Sequence, residues 1–206
     1  MSDFTAKDVQ ALRQASGAGM MDAKRALQEA GGDMERAKEI LREKGLADVK
    51  KRSGRRQGEG AIGHYLHSQA GRPVIGVLVE LASETDFVAK SDEFLEMADD
   101  IAMHIAAARP RWVTREDVPA EVVDKERELI AAQARNEGKP DHIVDKIVEG
   151  RIGSFYQDNV LYDQTFVRSE KFEGTIGEMV GALAAKMGEN ISVARFARLQ
   201  VGEADG

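Results

Sequence analysis

Val74-Ile75-Gly76-Val77-Leu78-Val79-Glu80-Leu81 leads into Ser83-Glu84-Thr85-Asp86-Phe87-Val88-Ala89-Lys90, and the change of pattern between them decides the fold. The first stretch is an apolar run of strand length. A helical pattern opens near Asp92, so Ser83, Glu84, Thr85 and Asp86 interrupt the apolar pattern at a strand-to-helix junction. Binding residues are often carried at such junctions by a rigid scaffold. Asp86-Phe87 sets an acid beside an aromatic ring there, and two readings stand open. Either Phe87 packs the sheet onto the helix while Asp86 caps it, or the pair faces a partner.

Upstream, Ile62 to His67 reads as a second strand, and Ser68 to Arg72 between the two suits a hairpin. Downstream, Ser91 is placed to cap a helix whose Phe94, Leu95, Ala98, Ile101, Ala102 and Ile105 form one stripe, ended by Arg109-Pro110. Trp112 to Thr114 reads as a short extended piece. Pro119 opens a helix with Val122, Val123, Leu129 and Ile130, and Pro140 opens another with Ile143, Val144, Ile147 and Val148 that meets Gly150. Ile152 to Tyr162 fits more than one state. Thr175 and Glu178 form a capping box for a helix carrying Ile176, Met179, Val180, Leu183 and Met187, with Gly188 just past its end. Ile191 to Val201 suits a last strand, and the change of apolar parity between Val193 and Phe196 predicts a bulge. Residues 61–202 therefore read as an α+β domain with a small antiparallel sheet packed against helices.

The first 46 residues read as three short helices divided by glycines. Val9 and Leu12 mark the first, which stops at Gly17. Ala23, Ala26, Leu27 and Ala30 mark the second, and Met34, Ala37, Ile40 and Leu41 mark the third, which ends before Gly45. Each is too short to stand alone, so the three must share a core. Residues 47–60 are basic and glycine-rich and read as a linker. Charge divides the same way: residues 1–56 carry 13 Lys/Arg against 9 Asp/Glu, and the remainder carries 16 against 27.

Composition narrows the function. The 206 residues are 42% hydrophobic and 32% charged with 4 Pro, which is globular rather than disordered. With no cysteine, disulfides, thiolate nucleophiles and cysteine-based metal sites are excluded. No apolar run approaches the roughly 20 residues of a spanning helix, and no signal-peptide pattern opens the chain, so a cytoplasmic setting is expected. A net charge of -7 argues against nucleic acid as the main partner, although the basic run 50–56 is either solvated or in contact with RNA. Gly58-Glu59-Gly60-Ala61-Ile62-Gly63 fits the dinucleotide pattern G-x-G-x-x-G, but here a linker enters and a strand leaves, the reverse of the context that binds pyrophosphate. His64 and His67 point to opposite faces of a strand and make a poor ligand pair. No nucleophile motif joins any histidine, so no enzyme, cofactor or metal is expected. Gly17-Ala18-Gly19-Met20-Met21 sets two flexible thioethers at the mouth of the helical module, either exposed for protein recognition or in its core, with at least one expected to be buried.

The chain resembles the elongation factor Ts family. Leu12-Arg13 followed by Ser16 to Leu27 is similar to the family's N-terminal signature, with Ser16 and Ala23 where threonine and cysteine are common. Val77 to Lys90, reading VLVELASETDFVAK, is similar to the second and more specific signature. Asp100 to Ala107, Asn136 to Pro140 and Gln164 to Val167 match as well, with Thr165 in place of a proline. The resemblance implies that residues 1–46 form a ubiquitin-associated-like module and that this is a short form with one core subdomain. It implies nucleotide exchange on elongation factor Tu, with Thr85, Asp86, Phe87 and Val88 entering the partner to dislocate its Mg²⁺. Leu12, Met20 and Met21 would form a second contact, and the Thr175–Met187 helix a third. A homodimer is expected through the sheet edge near Ile191 to Val201. The alternative is a ubiquitin-associated-like adaptor without exchange activity.

Overall fold

The computed structural model describes residues 4–16, 18–52 and 54–203. Three helices, α1 (Ala6–Ser16), α2 (Met20–Glu29) and α3 (Met34–Arg52), come first, and strands β1 (Glu59–Gln69) and β2 (Arg72–Ser83) follow. The single turn α4 (Asp86–Ala89) then leads into α5 (Asp92–Ala108). Next come α6 (Ala120–Asn136), α7 (Asp141–Asn159), α8 (Ile176–Met187) and β3 (Ser192–Gln200), with 3-10 turns at Arg115–Asp117 and Leu161–Asp163. The fold is α+β with a helical N-terminal region, as the sequence predicts.

The sheet is antiparallel in the order β1-β2-β3. Ala70 and Gly71 make the β1–β2 turn, both left-handed at φ 51° and 79°, which matches the twist of a two-residue hairpin. The predicted bulge is present: Glu80 pairs with Arg195 and Leu81 with Val193, leaving Ala194 over. The inner face, through Val77, Val79 and Leu81, packs on Phe94, Ile101 and Ile105 of α5 and on Ile176, Val180 and Leu183 of α8. The Thr175–Glu178 capping box starts α8, and Gly188 at φ 74° ends it. Helix α5 lies so close to β1 that a Cβ on Gly63 would stand 2.2 Å from the Ala98 carbonyl carbon. Ser91 sits at the N-cap of α5, but its hydroxyl donates to the Val88 carbonyl at 2.8 Å instead of capping the helix.

Two helices outrun their expected ends, each through a glycine. Helix α3 continues past Gly45 to Arg52, so residues 47–52 are helical rather than linker. Gly45 serves packing: a Cβ there would come within 3.2 Å of Ala185 Cβ on α8, and Arg42 pairs with Glu178 beside this contact. Helix α7 runs through Gly150 and Gly153 to Asn159 because Val148 and Ile152 carry its buried face onward. That burial outweighs the roughly 1 kcal/mol that each interior glycine costs relative to alanine. Helices α6 and α7 form a hairpin with its own core of Ile130, Ala134, Val144, Val148 and Ile152. The N-terminal helices close around Val9, Leu12, Ala23, Ala26, Leu27, Ala37 and Ile40. Among the described residues no helix is long and apolar enough to cross a membrane.

Candidate partner-binding site

Strand β2 ends at Ser83, which is fully buried, and its hydroxyl donates to the Thr85 carbonyl at 3.0 Å. Thr85 is the N-cap of α4, its Oγ1 accepting the Val88 N–H at 3.4 Å. Val88 and Ala89 sink into the main core. Once those two face inward, helical geometry turns Asp86 and Phe87 outward. Phe87 is 84% exposed, more than any other large apolar side chain described. The reading in which Phe87 packs sheet against helix therefore fails.

Asp86 does not cap the turn. Its Oδ2 accepts from Lys90 Nζ at 2.6 Å, one turn on, and both side chains are exposed. The Lys90 hydrogen bond and charge hold the Asp86 carboxyl below its ordinary value, while Asp86 raises Lys90. The result is an ionised carboxylate beside a solvated phenyl ring.

A polar lattice, absent from the sequence reading, holds this turn from the side. Glu189 lies just past the C-cap of α8. Its Oε2 accepts the Glu84 and Thr85 backbone N–H groups, both at 3.1 Å, and its Oε1 accepts the Thr85 hydroxyl at 2.6 Å. In return Glu84 Oε1 accepts the Asn190 N–H at 2.7 Å and lies 3.4 Å from Arg55 Nη1. Asn190 Nδ2 donates to the Arg55 carbonyl at 3.0 Å, and the Ser192 hydroxyl donates to Gln57 Oε1 at 2.8 Å. Three chain segments, 55–57, 83–85 and 189–192, are thus tied together under the exposed ring. The only local signal was the polar pair Glu189-Asn190 between a helix-ending glycine and a strand.

The remaining predicted site residues divide. Met20 and Met21, in the first turn of α2, are 48% and 62% exposed, so the expectation that one would be buried is corrected. They precede the apolar stripe of α2, which begins with Ala23. Gly17, the expected stop of the first helix, lies outside the described residues. Leu12 is fully buried among Val9, Ala26 and Leu27, and Val88 is 5% exposed, so neither presents a side chain to a partner. Helix α8 spends its apolar stripe on the main core.

His104 is wholly buried within a fixed network: Nδ1 accepts the Val167 N–H at 3.3 Å and Nε2 faces Gln164 Oε1 at 3.0 Å. Gln164 Nε2 in turn donates to the Asp158 carbonyl at 3.0 Å. Burial pushes the His104 pKa down, partly offset by Gln164. A neutral ring with both nitrogens engaged is structural. Among the described residues no three His, Asp or Glu side chains are grouped to hold a metal ion.

A family model described as Elongation factor TS matches residues 6–203. The chain is 52% identical over 201 residues to the elongation factor Ts of Fervidobacterium nodosum, covering 98% of this chain and 100% of that one. It is 49% identical over 200 residues to that of Thermosipho melanesiensis (97% and 100% covered) and 53% identical over 200 residues to that of Carboxydothermus hydrogenoformans (97% and 90% covered).

Proposed function

Because the chain belongs to the elongation factor Ts family, we propose that it is a guanine-nucleotide exchange factor, working in the cytoplasm on elongation factor Tu in translation elongation. It makes and breaks no covalent bond. The observation that carries the reading is Phe87, 84% exposed on a turn anchored from beneath by Val88 and Ala89. Burying a phenyl on association contributes about 1.5–3 kcal/mol, and the backbone that carries it, already ordered by Val88 and Ala89, need not be fixed on docking.

The mechanism needs only differential binding. Nucleotide on the partner is held by phosphate contacts and a Mg²⁺ that tolerates little departure from octahedral geometry. Phe87 acts as an apolar wedge between partner elements, and the ionised Asp86 disturbs the polar network around the ion. Coupling between sites is reciprocal, so a protein that prefers the nucleotide-free partner weakens nucleotide binding by the same factor. Thr85 shapes the turn and Val88 anchors it, both without direct contact through an exposed apolar side chain. Met20 and Met21 offer a second, adaptable apolar contact.

The chain also pairs with itself. Strand β3 is an edge of the sheet, where the dimer contact is expected, and the outer sheet face beside it carries exposed leucines. Two cross-strand rows, Leu66-Gly76-Leu199 and His64-Leu78-Ala197, lie on it, with Leu66, Leu78 and Leu199 exposed by 63%, 55% and 73%. The next row on this face, Ile62-Glu80-Arg195, turns polar with a Glu80–Arg195 ion pair, so the three leucines form a bounded apolar patch. A second copy fits it because a two-fold lays the same rows against each other. Light scattering should give twice 22.5 kDa at micromolar concentration, and a mass of 22.5 kDa would remove the dimer. Exchange itself is tested by stopped-flow release of fluorescent GDP from elongation factor Tu. Release should accelerate with added chain to a plateau, and an unchanged rate would favour the adaptor reading.

A further inference from the structure

We propose that Glu189 is a positioning residue for exchange, acting through the Thr85–Phe87 turn without touching the partner; the inference rests on the exchange reading above. Glu189 is 104 residues from Thr85 in sequence, yet one carboxylate accepts all three hydrogens the turn offers on that side. These are the N–H groups of Glu84 and Thr85 and the Thr85 hydroxyl, at 3.1, 3.1 and 2.6 Å.

The geometry explains why a carboxylate is needed here. The turn leaves the sheet at Ser83, and the two amides that follow have left the β ladder, whose last β2 pairs are Ser83 with Glu59 and Ala82 with Ser192. Unpaired amides would let the turn swing. Glu189 stands on the rigid end of α8, at the residue after the left-handed Gly188, and substitutes for the missing strand partner. Hydrogen bonds to an ionised acceptor are about twice as strong as neutral ones. Glu84, through the Asn190 N–H and Arg55, closes the lattice from the other side. With Val88 fixing the turn from below and Glu189 from the side, the Phe87 Cα–Cβ bond has one direction to point. A wedge works only if it arrives already oriented, because ordering it on contact would use up binding preference.

The test compares Glu189→Ala, Glu189→Gln, Phe87→Ala and the double variant Phe87→Ala/Glu189→Ala in GDP release from elongation factor Tu at saturating and half-saturating chain. Melting curves and amide hydrogen exchange at residues 84 and 85 are read on the free chain. Glutamine keeps an oxygen for the two N–H groups and offers its amide to the Thr85 hydroxyl oxygen. Glu189→Gln should therefore stay within about threefold of wild type, while Glu189→Ala loses about tenfold in rate at saturation. In the Phe87→Ala background the alanine change should add less than about twofold, because removing the ring removes what Glu189 aims. The 84 and 85 amides should exchange about tenfold faster in Glu189→Ala alone. Wild-type release by Glu189→Ala, a full second loss in the double variant, or unchanged amide exchange overturns the proposal. Equal losses for the glutamine and alanine variants do so too, since they would mean a direct charge contact. If the wild-type chain does not accelerate GDP release the exchange reading fails, and if Phe87→Ala accelerates it normally the wedge fails; in either case the amide exchange still decides whether Glu189 holds the turn.

Discussion

Truncating Phe87 and Val88 to alanine, one at a time, should separate function from stability within two adjacent residues. Phe87 is 84% exposed, and a surface change of this kind moves stability by no more than about 0.5 kcal/mol, or about 1–2 °C for a chain of this length. Val88 is 5% exposed in the main core, and removing two methyl carbons there costs about 1.6 kcal/mol of transfer energy plus a cavity term, about 2–3 kcal/mol in all. Calorimetry should therefore show Val88→Ala melting about 4–10 °C lower while Phe87→Ala overlays wild type. Exchange should respond the other way. Losing a ring that contributes about 1.5–3 kcal/mol on docking lowers the efficiency of GDP release by about 10- to 100-fold. A Phe87→Ala variant that melts as low as Val88→Ala, or that promotes release at full efficiency, would refute this division of roles.

Three further outcomes test the fold beneath the site. Gly63→Ala would place a Cβ 2.2 Å from the Ala98 carbonyl carbon and 2.3 Å from its oxygen, so α5 must lift off β1. A loss of about 3 kcal/mol in urea unfolding is expected, and a loss under 1 kcal/mol would contradict the close approach. Gly150→Ala, inside α7 with nothing within 4 Å of the added carbon, should stabilise by about 0.5–1 kcal/mol, and destabilisation would mean that the helix is broken there. The buried, neutral His104 has a folded pKa below its unfolded value near 6.5. Its contribution to stability is whole above that value and is lost as pH falls from there through the lower folded value, because the unfolded chain takes up the proton first. Unfolding followed between pH 7.5 and 5.5 should show the decline, and an NMR midpoint near 6.5 for the His104 ring would contradict it.

Strands and caps were legible in the sequence because their causes are local. An apolar run of strand length marked Val74 to Leu81, and a parity change at Val193 to Phe196 marked the bulge. The box at Thr175 and Glu178 needs only three intervening bonds along a helix. Gly45 and Gly150 misled because a glycine that ends a helix and one that admits a neighbouring helix, or is tolerated by a buried stripe, look alike in one dimension. Leu12 could have been placed correctly, since with Val9 it sits at helical spacing on the stripe that fills the module's core. Thr85, Asp86 and Phe87 were singled out as candidates, but the hydrogen bonds that hold their turn were not foreseen. Glu189 and Asn190 read as loop residues, and bonds spanning more than 100 residues leave no periodicity to detect.

The central claim, that the ring at position 87 enters the nucleotide pocket of elongation factor Tu, is tested most directly by placing a photo-reactive benzoyl group on that ring and irradiating the complex. Cross-links are expected to partner residues that line the Mg²⁺ and phosphate site, suppressed when excess GDP is present. Cross-links confined to this chain, or to a partner surface remote from the nucleotide, would contradict it.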